Sequence, residues 1–383
     1  MAKLTPMLPR MENPFKYGAP VDGEYYLPRP QLNDSLQKFI GAGISVVLIG
    51  PRRMGKTSFV KEFLRQQEAA GSETLYVDIY SITSHKDFLS QLLRAIRSKG
   101  QTHAIKGWFG RLGKLRPKVM WEADANGSQS VSISADFSAQ TDVKDEVMDA
   151  LDALDGFPKP LVVCIDEFQK VAELDDKGWL EATLRTAMQS LKGVTFVFTG
   201  SKRSLIEEML NNSNRPFFKS CQQIIFPVFG EEFTDWVVQR FGIAHVICER
   251  AAVTLLREKL GNTPNYVQMV SFHLVAEGGR SVTSSDIEDI LPRIVAQSSF
   301  AYETLLSSLP PGQQRAVRLA AHESEEIYNK EFLKRYEITS GPALASAVRA
   351  LKEKGIIDEG SKKGRVSFDD PMFALWLQNN FPK

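Results

Sequence analysis

The sequence from residue 50 to residue 58 reads Gly50-Pro51-Arg52-Arg53-Met54-Gly55-Lys56-Thr57-Ser58. Its two glycines, with Lys and Thr directly after the second, match the Walker A spacing at every defined position. The apolar run 44–49 before it predicts a buried strand, and the amphipathic pattern over 57–71 after it predicts a helix. A strand, a glycine-containing loop and a helix in this order predict a phosphate-binding loop.

The residue types in this loop are suited to binding a nucleoside triphosphate. Glycines let the backbone turn tightly, so that its N–H groups converge on phosphate oxygens, and the helix that follows directs its positive end at the same anion. Lys56 supplies a charge for the outer phosphates, and the Thr57 hydroxyl is a hard oxygen ligand for Mg²⁺. All nine loop residues are therefore candidates for binding ATP or ADP, and Thr57 is a candidate metal ligand.

Two acidic residues follow a second apolar strand. The run from Pro160 to Ile165 ends in Asp166 and Glu167, which places both at the carboxyl edge where parallel sheets bind their ligands. We expect Asp166 to hold Mg²⁺ through a water and Glu167 to polarise the water that attacks the outer phosphate. The alternative is a pair of solvated acids that simply end a strand.

Polar and basic residues after a later strand complete the candidate site. The strand predicted over 194–201 ends in Thr199, Gly200 and Ser201, and either Thr199 or Ser201 is a candidate for orienting the attacking water. Arg203 and Arg215 are each a candidate arginine finger, a cation that stabilises transition-state charge, here in a neighbouring subunit. Ordinary strand-end polar residues and surface arginines are the alternatives.

Composition excludes several classes of protein. The 383 residues are 43% apolar and 24% charged with a formal net charge of +1, which excludes a largely disordered chain and a global attraction to nucleic acid or anionic lipid. The three cysteines form no CxxC pair, so neither a zinc site nor a disulfide framework is expected. No stretch approaches the roughly 20 apolar residues of a membrane span, and we expect a cytoplasmic protein.

Strand and helix patterns alternate through the first two thirds of the chain, which predicts a parallel sheet with helices on both faces. The stretch 231–300 has a purely helical pattern. Asn126-Gly127 is a hairpin turn signal and predicts an inserted β-hairpin, either an arm for a partner or a surface decoration. The predicted organisation is an extended segment 1–30, a core 31–230 with the hairpin at about 115–140, a helical lid 231–300 and a winged helix 301–383.

The last segment has the pattern of a winged helix. Three helical patterns over 312–357 precede a hairpin with a basic tip. Five basic residues are candidates for phosphate contacts: Arg349, Lys352, Lys362, Lys363 and Arg365. Residues 301–383 nevertheless contain 12 Lys and Arg against 11 Asp and Glu, whereas a duplex binder usually has a basic face. A protein contact is therefore expected ahead of DNA binding.

Together these motifs resemble the ATPase family first described mainly from archaea, which is related to the STAND and AAA+ branches of P-loop NTPases. The resemblance covers about residues 13–380. The matching motifs are the loop at 50–58, the Walker B segment Val162–Gln169, the sensor 1 segment Phe198–Ser201, the Gly-x-Pro segment Gly261–Tyr266 and the C-terminal segment Asp370–Trp376.

The resemblance implies a three-layer α/β/α P-loop core followed by a helical lid and a winged helix. It also implies that the segment near Tyr25–Arg29 and the proline of the Gly-x-Pro motif lie beside the base, which makes Tyr26, Leu27 and Pro264 candidate adenine neighbours. An AAA+ sensor 2 arginine is expected near this motif, but Asn265 follows Pro264.

The first hypothesis from the sequence is therefore an ATPase that uses its nucleotide cycle to change the position of its lid and winged helix. It would act on a protein or DNA partner, as a homo-oligomer if an arginine finger is used. The second hypothesis is a nucleotide-dependent binding module with little turnover, which the missing sensor 2 arginine favours. A nucleotide kinase is the weakest alternative, because the helical lid lacks an evident arginine cluster for an acceptor.

Overall fold

The computed structural model describes residues 13–99, 117–123, 129–135, 142–174, 178–359 and 364–382. The chain divides into two compact units. The core unit comprises 28–51 and 56–227, and the helical unit comprises 1–27, 52–55 and 228–383. In the described part of the chain, no helix is long and apolar enough to cross a membrane.

The core unit alternates strands and helices, as predicted. Its elements are α1 (Pro30–Gly41), β1 (Val46–Ile49), α2 (Lys56–Ala69), β2 (Glu73–Asp78), α3 (His85–Ser98), β3 (Pro117–Ala123), β4 (Gln129–Ala135), α4 (Val143–Asp152), β5 (Leu161–Asp166), α5 (Gln169–Leu174), α6 (Trp179–Ser190), β6 (Val194–Gly200), α7 (Arg203–Asn211) and β7 (Gln222–Ile225).

Five of these strands form one parallel sheet in the order β2-β5-β6-β1-β7. Every residue of β1, β5 and β6 is buried, which explains why these strands read as continuous apolar runs. The register pairs Asp78 with Asp166 and Ile49 with Gly200. The carboxyl ends of neighbouring strands therefore meet at one edge, as the P-loop NTPase fold requires.

The edge strand β7 lies beside β1. It begins at Gln222 and ends at Ile225, because its pairing with β1 extends only from Val46 to Ile49. Within the predicted insertion, β3 and β4 pair in antiparallel fashion, with Pro117 opposite Ala135. Its turn at Asn126-Gly127 lies outside the described residues.

The helical unit is not purely helical over 231–300, because the short strands Ile247–Cys248 and Ser281–Val282 form a two-stranded parallel sheet. Its elements are α8 (Glu231–Ile243), β8 (Ile247–Cys248), α9 (Arg250–Lys259), α10 (Pro264–Ala276), β9 (Ser281–Val282), α11 (Ser284–Ala296), α12 (Ser299–Ser307), α13 (Pro311–His322), α14 (Lys330–Arg335), α15 (Gly341–Glu353), β10 (Ile357–Glu359), β11 (Val366–Phe368) and α16 (Pro371–Asn380).

The C-terminal elements confirm the winged helix. Helices α13, α14 and α15 precede the antiparallel pair β10 and β11, in which Ile357 lies opposite Phe368. Helix α16 packs Phe373 and Trp376 against Tyr302 of α12, with ring centroids 5.3 and 5.9 Å from the tyrosine ring. The predicted basic tip at Lys362 and Lys363 lies outside the described residues.

The N-terminal segment is anchored in the helical unit. Phe15 is fully buried, with its ring centroid 4.8 Å from that of Phe241. The buried Arg240 donates from Nε to the carbonyl of Pro14 at 2.9 Å and forms an ion pair with Glu24. The buried ring of Phe15 and the guanidinium of Arg240 therefore both help to hold this irregular segment in place.

An aromatic cluster fills the core unit on one side of the sheet. Phe168, Phe198 and Phe217 are fully buried, with ring centroids 4.3 to 5.3 Å apart. We predict that Phe217→Ala lowers the free energy of unfolding by about 3–5 kcal/mol, because it removes a buried ring and leaves a cavity. Urea denaturation measures this loss.

Tyr80→Ala is the matched control, since this aromatic side chain of the same unit is 59% exposed. We expect its effect to stay within about 0.5 kcal/mol. An equal decrease in the free energy of unfolding for Phe217→Ala and Tyr80→Ala would contradict the assignment of the aromatic cluster to the core.

Candidate active site

The phosphate loop joins the end of β1 to the start of α2. A Cβ on Gly50 would lie 2.7 Å from Cβ of Phe226, and Gly55 has a φ of +90°, so both positions need glycine. Lys56 is the first residue of α2 and is buried. Its Nζ donates to the carbonyls of Gly50 and Pro51 at 2.7 and 2.6 Å. The lysine therefore lies inside the loop that the sequence predicted.

Asp166 is the most heavily hydrogen-bonded group at this edge. Its Oδ2 accepts from Thr57 Oγ1 at 2.8 Å and from the Tyr76 hydroxyl at 2.7 Å. Its Oδ1 accepts from Thr199 Oγ1 and from the backbone N–H of Glu167. The side chain is only 3% exposed, and a buried carboxylate is stable only when such donors surround it.

Tyr76 is a site residue that the sequence did not reveal. It lies inside β2, where an aromatic residue is ordinary and gives no functional signal. Burial, together with the negative charge of Asp166, raises the pKa of the Tyr76 hydroxyl. The group therefore keeps its proton and acts as a donor to the carboxylate.

Glu167 has a different environment from Asp166, although the two are adjacent. It is partly exposed and has a φ of +62°, which is uncommon for a residue other than glycine. Its Oε2 accepts from Ser201 Oγ at 3.0 Å and from Gln169 Nε2. The two polar residues at the carboxyl end of β6 therefore contact different acids: Thr199 contacts Asp166, and Ser201 contacts Glu167.

The two candidate finger arginines are engaged in different ways. Arg203 begins α7 and forms an exposed ion pair with Glu207 one turn later. Arg215 pairs with Glu181, whose side chain is completely buried. Burial raises the pKa of Glu181, and the charge of Arg215 opposes that rise.

The candidate adenine neighbours all belong to the helical unit. Leu27 packs against its apolar core, Tyr26 follows the short turn Gly23–Tyr25, and Pro264 is the first residue of α10. The loop residue Arg53 is grouped with the same unit. Its carbonyl accepts from Asn265 N at 3.4 Å, and its guanidinium lies 4.7 Å from the Tyr266 ring centroid and 3.4 Å from Asp370.

The pairing of Arg215 leads to a prediction about stability. We expect Arg215→Ala to lower the free energy of unfolding by about 3 kcal/mol, because Glu181 would be left buried without its partner. Arg203→Ala is the control and should cost no more than about 0.5 kcal/mol, since exposed ion pairs contribute little. Urea denaturation of both variants measures the difference. A midpoint for Arg215→Ala equal to that of the wild type would contradict a structural role.

Two family models match this chain. Residues 42–209 match the model described as an AAA domain. Residues 300–379 match the model described as a probable winged helix domain. A search of curated proteins finds no significant match.

Solved structures with similar folds include archaeal ATPases. The Walker-type ATPase PABY2304 of Pyrococcus abyssi is 16% identical, with a TM-score of 0.63 and coverage of 93% of this chain and 97% of the other. The Aeropyrum pernix ORC2 protein in its ADPNP–ADP complexes is 15% identical, with a TM-score of 0.55 and coverage of 91% and 92%. The Aeropyrum pernix ORC1 protein in complex with DNA is 13% identical, with a TM-score of 0.50 and coverage of 93% of each chain.

At these identities the likeness concerns the fold, and the family models carry the assignment. They confirm the predicted combination of a P-loop core with a winged helix, while the relation to the STAND branch stays a prediction. Residues 42–209 therefore form an AAA domain of the P-loop ATPase type, and residues 300–379 form a C-terminal winged helix domain.

Proposed function

We propose that this protein hydrolyses ATP to ADP and phosphate with Mg²⁺, and that the nucleotide cycle moves its helical and winged-helix regions to regulate a partner. One observation carries the proposal. Two adjacent carboxylates, Asp166 and Glu167, lie at the carboxyl edge of the sheet in different surroundings, and Thr57 of the phosphate loop contacts the first. When two neighbouring acids lie in different surroundings, each can take a different role in catalysis.

Lys56 is the proposed ligand of the outer phosphates. Its ammonium group donates to two neutral loop carbonyls. A phosphate oxygen is a stronger acceptor, because charge-assisted hydrogen bonds are about twice as strong as neutral ones. We therefore infer that Lys56 turns from these carbonyls to ATP when the nucleotide binds, and that the other loop residues hold the phosphates through their backbone.

Thr57 and Asp166 are the proposed residues for Mg²⁺. Their hydroxyl and carboxylate oxygens lie 2.8 Å apart, and hard oxygen donors of this kind fit the ion. Thr57 would bind it directly and Asp166 through a water. When bound, Mg²⁺ neutralises charge on the outer phosphates.

Glu167 is the proposed general base. It accepts a proton from the attacking water as the water oxygen bonds to the outer phosphorus, while the bond to the bridging oxygen breaks and ADP leaves. Thr199 holds Asp166 and Ser201 holds Glu167, so each contributes by fixing one acid. Tyr26, Leu27 and Pro264 remain proposed neighbours of the adenine.

A homo-oligomer follows from this proposal if a neighbouring copy supplies an arginine. Arg203 is the better candidate for that finger, because Arg215 is paired with the buried Glu181. Arg203 is exposed at the start of α7, where a second copy can reach it.

The proposed output is a contact between the winged helix and a protein partner. Two of its basic side chains are paired within the domain, Arg365 with Glu325 and Lys352 with Asp358, which reduces the charge available to a duplex. ORC1 of Aeropyrum pernix, a structure of similar fold, is in complex with DNA. DNA is therefore the alternative partner, and a gel-shift titration with duplex DNA distinguishes the two.

We predict that purified protein with Mg²⁺ hydrolyses ATP and that Glu167→Gln lowers kcat by about 10²–10⁴-fold, the range for loss of a general base. Because the substitution removes only the base, ATP affinity should change by less than about threefold. Phosphate release measures turnover, and calorimetry with a slowly hydrolysed ATP analogue measures binding.

Lys56→Ala is the matched control, since it removes the phosphate charge instead of the base and should abolish binding as well as turnover. Wild-type turnover no greater than that of Lys56→Ala would contradict the hydrolytic proposal. If the nucleotide still bound, that result would favour the binding module, which the presence of Asn265 after Pro264 also favours.

A further inference from the structure

Gln169 is a fully enclosed polar residue that the mechanism above does not use. It is the first residue of α5, two positions after Glu167, and is 1% exposed. A buried amide must have its donors and acceptor satisfied to be stable. Its partners therefore indicate what the side chain does.

Both ends of the Gln169 amide contact the candidate catalytic edge. Its Oε1 accepts from the backbone N–H of Ser201 at 3.3 Å. Its Nε2 donates to Glu167 Oε2 and lies 3.4 Å from Ser201 Oγ. The N–H of Ser201 can only donate, so it fixes the orientation of the amide and directs Nε2 at the carboxylate.

Gly200 makes room for this arrangement. A Cβ at that position would lie 2.7 Å from Gln169 Oε1 and 2.0 Å from Ile206 Cδ1. The carbonyl of the same glycine accepts from Gly50 N at 3.2 Å. The residue that accommodates the glutamine is thus also hydrogen-bonded to the first residue of the phosphate loop.

The backbone of Glu167 is held in an uncommon conformation at the same place. Its φ is +62°, and the next residue, Phe168, donates its N–H to the Thr199 carbonyl at 2.8 Å. A strained residue of this kind persists only when its surroundings fix it, and such residues cluster at active sites. Gln169 and Ser201 fix the side chain of the same residue.

We propose that Gln169 is a positioning residue that holds the Glu167 carboxylate for catalysis. Gln169 and Ser201 both donate to Oε2. Within the described residues no protein group donates to Oε1. Two donors therefore hold Oε2 in place, and Oε1 accepts the proton of the attacking water. This inference rests on the proposed function, because it assumes that Glu167 is the base.

Gln169→Glu is the most informative substitution. It keeps an oxygen for the N–H of Ser201 and nearly the same shape, but it replaces the amide donor to Glu167 with a carboxyl group and so also adds an acid beside Glu167. We expect kcat to fall by about 10- to 100-fold, since a small misplacement of a catalytic group has effects of this size. The dissociation constant of a slowly hydrolysed ATP analogue should change by less than twofold. Gln169→Leu, which also lacks the donor, should lower kcat in the same way.

Gln67→Leu is the matched control. Gln67 is another buried glutamine of the core unit, and its amide bonds to Gln37 rather than to either acid. We expect it to lose thermal stability while keeping kcat. Single-turnover measurements on all variants ensure that kcat reports the chemical step.

Two results would overturn the inference alone: unchanged kcat in Gln169→Glu and Gln169→Leu, or equal losses of kcat and analogue affinity in both. If wild-type turnover does not exceed that of Lys56→Ala, the proposed function fails and the inference fails with it.

Discussion

A buried carboxylate at the end of a parallel strand is the constraint around which the core unit is organised. Asp166 ends β5 with 3% exposure, and an unpaired charge at such a depth would be strongly destabilising. Its donors come from α2, β2 and β6 through Thr57, Tyr76 and Thr199. The order of strands in the sheet, with β5 between β2 and β6, is what brings these donors to one point.

The neighbouring acid shows how the same edge produces a second environment. Glu167 leaves the strand with a left-handed backbone, so its side chain departs from the donors of Asp166 and meets Gln169 and Ser201 instead. The two acids are adjacent in sequence and differ in burial, backbone conformation and partners. In our account this difference separates metal binding from proton transfer.

The sequence predicted the features that local pattern controls. Continuous apolar runs predicted β1, β5 and β6, because these strands are buried on both faces. The spacing of the glycines predicted the phosphate loop at 50–58. Tyr76 could not be predicted as a site residue, because its role depends on which strand lies beside β5. The partner of Arg215 is Glu181, on a helix 34 positions earlier in the chain, and no local pattern records that pairing.

The central claim is that Thr57 and Asp166 bind the Mg²⁺ that accompanies ATP. Calorimetric titration with a slowly hydrolysed ATP analogue, with Mg²⁺ and after chelation by EDTA, tests it directly in the wild type and in Asp166→Asn. Our account predicts that Mg²⁺ tightens binding by about tenfold or more, a gain of about 1.4 kcal/mol, in the wild type and not in the variant. Binding that is independent of Mg²⁺, or an equal effect of Mg²⁺ on both proteins, would contradict it.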